Sequence, residues 1–145
     1  MRSLNKQMLR MLVGMAVFNG VPAASADVVV VASAASGLSS LTPSQVYDIF
    51  LGKSAYLPNG ALAMPIDQPE TSSERRMFYE TYTGKSPAQV KAYWSKLIFT
   101  GKGQPPREAK GLSALYRFMS RNAGAIGYMD RSEVDNRVRI VEIME

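Results

Sequence analysis

Four valines in a row, Val28 to Val31, limit the fold of this chain more than any other feature. An unbroken β-branched run that short is a strand with apolar side chains on both faces. Such a strand has to lie inside a sheet that is covered on each side. The remaining segments supply the covering layers. Thr42-Pro43-Ser44-Gln45 and Ser86-Pro87-Ala88-Gln89 each read as a helix start. Each has a hydroxyl at the cap, Pro at the first helical position and Gln three residues after the cap. Val46, Ile49 and Phe50 follow the first at helical spacing; Val90, Tyr93, Trp94, Leu97 and Ile98 follow the second.

Between these helices, Ala61 to Ile66 reads as a second strand, with Pro65 marking an edge or an end. A polar turn, Asp67 to Glu70, leads to a helix opening near Ser72 or Ser73, whose inward stripe is Met77, Phe78, Thr81 and Tyr82. Phe99 to Lys110 reads as a long loop. Leu112, Leu115, Tyr116 and Met119 then define a fourth amphipathic helix. Ala125 to Tyr128 and Val138 to Ile143 are strands, the last burying Val138, Ile140 and Ile143. Strands alternating with helices predict an α/β domain: three layers, a small and mostly parallel sheet, helices on its flanks.

The first 26 residues are organised differently. Arg2, Lys6 and Arg10 precede the short apolar stretch Met11 to Phe18, and Ala24-Ser25-Ala26 is a small-x-small site. That is the pattern of a secretory signal cleaved after Ala26, which places the mature protein in the periplasm with no inserted span. Residues 27–145 then form one domain. The formal charge falls from +5 to +2 with that segment, because its three basic residues leave with it. No basic stripe interleaved with aromatics remains, so nucleic acid is not an expected partner.

The chain has no cysteine and no histidine. A thiol nucleophile, a disulfide framework, a Ser-His-Asp triad and the usual zinc sets are all excluded. No metal or cofactor is expected. Asp67, Glu70 and Glu74 offer carboxylates for acid/base work, but acids close to the positive end of a helix dipole need no catalytic explanation.

The sharpest functional cue lies at Thr71 to Arg76. A helix start presents unpaired N–H groups and a partial positive charge, and so favours an anion. Thr71, Ser72 and Ser73 add hydroxyls. Arg75 and Arg76 stand in the first turn, where the dipole disfavours a cation unless an anion is bound beside it. An alternative is a solvated Arg76–Glu80 pair. Lys102 and Arg107, in the long loop, are candidates for a second contact.

Three segments, Val46 to Lys53, Gly101-Lys102-Gly103 and Gly124 to Tyr128, resemble the periplasmic phosphate-binding proteins, the substrate-binding part of phosphate ABC transporters. The resemblance runs from Val28 to about Ile143 and covers one lobe of that type II two-lobed fold. It implies a phosphate or similar oxyanion ligand at Asp67 to Ser73, with an inner-membrane transporter or sensor as partner. Only Thr71, Ser72 and Ser73 carry over as hydroxyl donors, and Glu70 would repel phosphate. Two readings follow. One is a solute-binding lobe whose affinity is weak unless the protein dimerises across the site. The other is a lobe that lost its ligand and docks on an envelope protein.

Overall fold

The computed structural model describes residues 27–145; the signal-segment reading falls on residues 1–26, outside them. The main sheet has five strands: β1 (Val28–Ser33), β3 (Met64–Asp67), β4 (Arg107–Glu108), β5 (Ala125–Asp130) and β6 (Val138–Ile140), in the order β4-β3-β5-β1-β6. β3 runs parallel to β4 and to β5, while β1 runs antiparallel to β5 and β6. Four strands therefore point one way and only β1 points the other. A small parallel pair, β2 (Ser40–Leu41) with β7 (Glu142–Ile143), closes one side.

The valine run lies inside the sheet as its composition requires. Val30 and Ala32 face one cluster, packed with α1 (Pro43–Phe50), α2 (Ser73–Thr83) and α3 (Pro87–Phe99). Val29 and Val31 face the other, packed with α4 (Leu112–Arg121). The first cluster centres on Phe78, whose ring stacks on Tyr128 at 4.1 Å and meets Phe50 edge-on at 4.6 Å. Such aromatic pairs contribute about 0.5–1.5 kcal/mol beyond their buried area. On the opposite face, a Cβ at Gly127 would lie 2.7 Å from Met119 Cε, so glycine lets α4 approach β5. Both expected capping boxes form, at Thr42 and at Ser86.

Several expectations are corrected. The α2 stripe is rotated by one residue: Phe78 and Tyr79 are buried, and Thr81 is exposed. Tyr79 turns inward because its hydroxyl has a buried acceptor, described below. Ile98 is 55% exposed, so the α3 stripe ends one residue early, at half-buried Leu97. The terminal strand breaks into β6 and β7, which buries Val141 and leaves Ile140 exposed and Ile143 only half-buried. β3 spans Met64–Asp67, and Pro65 pairs with Ile126 on an interior strand. The long loop contains β4, which covers β3 and so becomes the sheet edge.

Candidate functional site at the carboxyl end of the sheet

Strands β3, β4 and β5 end together at Asp67, Glu108 and Asp130. In open α/β sheets, ligands gather beyond this end. Here the turn after β3, the loop after β4 and the turn after β5 surround a cleft of about 440 Å³. Gln68, Ser72 and Glu74 line it from the first; Gly111, Leu112 and Leu115 line it from the second; Met129, Asp130 and Glu133 line it from the third.

Two helices begin at this cleft. The α2 start follows the sequence rule: Ser72 is the cap, and its Oγ accepts from the Arg75 N–H at 3.2 Å. That hydroxyl has a single proton and two acceptors in reach, Gln68 Oε1 at 2.6 Å and Glu74 Oε2 at 3.0 Å. Ser73 Oγ leans on the same Glu74 oxygen at 3.3 Å. The first free amides of α2, those of Ser73 and Glu74, take no partner among the described residues. The α4 start is bare. Its cap is Gly111, and no side chain bonds to the helix amides. Gly111 has φ 96° and ψ 167°, a conformation essentially restricted to glycine, so a capping side chain is barred by the backbone itself. Nothing before Leu112 in the sequence marks this helix start as a donor site except that Gly stands where Ser, Thr or Asp is usual.

Beneath the α2 start lies a closed polar knot. Asp67 is 5% exposed. Its carboxylate accepts from the Tyr79 hydroxyl at 2.7 Å, from the Tyr128 hydroxyl, and from the Gln68 N–H at 2.9 Å. Arg75 Nε stands 3.3 Å from it, and the guanidinium lies 5.0 Å from the Tyr79 ring centroid. Burial, and then the charge of Asp67, push both tyrosine hydroxyls far above their ordinary range, so they remain protonated donors. A buried carboxylate is tolerated only when paired and hydrogen-bonded in this way. The Gln68 side-chain amide donates to the Tyr128 carbonyl at 2.9 Å, which ties the turn to β5.

The sequence candidates are therefore dispersed. Ser72 and Ser73 stand at the cleft or its edge with their hydroxyls engaged internally. Thr71 is exposed and makes no bond among the described residues. Arg75 faces Asp67. Arg76 is exposed, and the alternative pairing with Glu80 does not form among the described residues. Glu70 lies 3.9 Å from Lys91 in an exposed pair. Lys102 is exposed beyond the end of α3, and Arg107 sits over the Phe118 ring at 5.3 Å; neither lines the cleft. The acids are closer to it. The Ser132 hydroxyl, followed by the Ser132 amide, holds the Asp130 carboxyl below the usual carboxylate range. Among the described residues, no group of three or more acids could hold a metal ion, and no helix is long and apolar enough to cross a membrane.

No protein-family model matches the chain, and no curated protein matches it. Solved structures do. A protein of Clostridium perfringens described as a phosphate ABC transporter substrate-binding protein, with phosphate bound, aligns at TM-score 0.64 and 20% identity over 80% of this chain and 44% of its own. An ABC-type phosphate transport receptor of Vibrio cholerae aligns at 0.60 and 17% identity, over 80% and 45%. A protein of Planctomyces limnophilus described as a possible phosphate binding protein aligns at 0.61 and 15% identity, over 81% and 41%. The chain thus spans less than half the length of the solved structures it matches. Likeness at this level of identity concerns the fold alone: the chain has an α/β fold like that of one lobe of these solved structures.

Proposed function

We propose that this chain is an exported, single-lobe solute-binding protein. It takes phosphate or a similar small oxyanion at the carboxyl end of its sheet and serves a phosphate transport or sensing system at the inner membrane. The observation that carries this reading is the meeting of two helix starts, α2 and α4, on one cleft. Their free amides and aligned dipoles are the donors an oxyanion needs. The likeness to transport receptors supports binding over catalysis. The leader pattern in residues 1–26 supports export.

Glu74, Asp130 and Glu133 stand near the same space and oppose a dianion, and a single lobe leaves part of the ligand in water. Affinity is therefore weak, in the millimolar range of about −4 kcal/mol. Titration calorimetry with phosphate and with sulfate tests the reading. Absence of heat at millimolar anion counts against it.

A second reading, an interaction lobe without a ligand that docks on an envelope sensor or transporter, draws on Arg75. That guanidinium is turned to Asp67 rather than to the cleft. Thermal shift on the Ser72→Ala, Ser73→Ala double variant separates the two. Loss of an anion-dependent stabilisation present in the parent supports the oxyanion site. No anion effect in either form supports docking.

A further inference from the structure

The whole chain is basic, with 17 Lys and Arg against 12 Asp and Glu, yet no Lys or Arg lines the cleft at the carboxyl end of the sheet. Its charged lining is Glu74, Asp130 and Glu133. None of the three carboxylates belongs to an ion pair among the described residues. Among the described residues, Glu74 accepts only from serine hydroxyls, and Asp130 only from the Ser132 amide and hydroxyl. Glu74 stands on α2, Asp130 at the end of β5 and Glu133 in the turn after it. The same cleft also has an apolar lining: Leu115 and Met129 are buried, and Leu112 is 39% exposed. Unpaired acids beside an aliphatic surface favour an occupant of complementary character, cations next to an aliphatic group.

We propose that this cleft is a docking groove for a basic segment of a partner protein, one that carries Arg or Lys next to an aliphatic residue. The aliphatic side chain takes the Leu112–Leu115–Met129 wall. The neighbouring cations reach Glu74, Asp130 and Glu133. The groove does not depend on the oxyanion reading, since it uses side chains whereas an anion uses backbone donors. A small cation alone would leave the apolar wall uncovered.

The test titrates the purified protein, in phosphate-free buffer, with the peptide acetyl-Arg-Leu-Arg-amide, and with acetyl-Glu-Leu-Glu-amide and arginine amide as comparisons. The basic peptide binds, with methyl NMR shifts confined to Leu112, Leu115 and Met129. The acidic peptide does not bind, and arginine amide binds at least about tenfold more weakly, having no group for the apolar wall. Glu133→Gln and Asp130→Asn each weaken the peptide about threefold and flatten its salt dependence. Leu112→Ser weakens it with the salt dependence unchanged. Equal binding of the acidic peptide, indifference to both carboxylate variants, or methyl shifts elsewhere would overturn the proposal. Arginine amide binding as tightly as the peptide makes the cleft a small-cation pocket instead. Binding that appears only after residues 1–26 are removed makes the chain's own leader the occupant. Peptide binding in phosphate-free buffer stands whether or not phosphate binds, so the two readings fail separately.

Discussion

The two helix starts at the cleft obey different rules. At α2, the side chains of the first turn have found internal uses, although the Ser73 and Glu74 amides stay free: Ser72 caps Arg75 and holds Gln68, Ser73 and Glu74 contact each other, and Arg75 meets buried Asp67. At α4, Gly111 offers nothing and the amides stay open. A hydroxyl that caps a helix marks where a helix begins. Because the cap consumes a donor, it is also a sign that part of the anion-binding capacity is already spent. The start without a cap keeps that capacity and shows almost nothing of it in sequence.

The comparison breaks most decisively on its closed side. Asp67→Ala strands two buried tyrosine hydroxyls and the Arg75 guanidinium, and lowers stability by about 3 kcal/mol in urea unfolding. A change below about 0.5 kcal/mol would mean the knot is incidental. The same knot sets a limit at alkaline pH. Tyr79 and Tyr128 titrate higher folded than unfolded, so their contribution is whole below the unfolded value of about 10 and declines as pH rises past it. The slope is about 1.4 kcal/mol per pH unit for each tyrosine. Circular-dichroism unfolding at pH 9 and 11 reads it, and Tyr128→Phe removes part of the slope. A flat profile would show that the hydroxyls are not held.

The open side responds more gently. Gly111→Ala forces a side chain into a glycine conformation and costs about 1.5 kcal/mol by thermal unfolding, although no atom blocks the new methyl. Ser72→Ala removes the α2 cap for about 1 kcal/mol. If both substitutions abolish phosphate heat, the two starts share one ligand; if only Gly111→Ala does, α4 alone binds. Glu74→Gln is the smallest change. It relieves the acid at the cleft and strengthens phosphate about threefold in calorimetry, with stability altered by only a few tenths of a kcal/mol.

Composition, capping signals and periodicity together determined the architecture of this protein: an α/β fold, the valine strand inside, helix starts at Thr42, at Ser72 or Ser73, and at Ser86. They do so because backbone hydrogen bonding and apolar burial act on neighbours within one helical turn or along one strand. What they missed depends on segments far apart in the chain. The reversed direction of β1, the two-residue strand β4, the inward turn of Tyr79 and the partnering of Arg75 with Asp67 each need an acceptor or a strand edge supplied from elsewhere. The same holds for the cleft. Its lining is drawn from three separate connections, and only the assembled sheet brings their acids, their apolar wall and the bare end of α4 to one place.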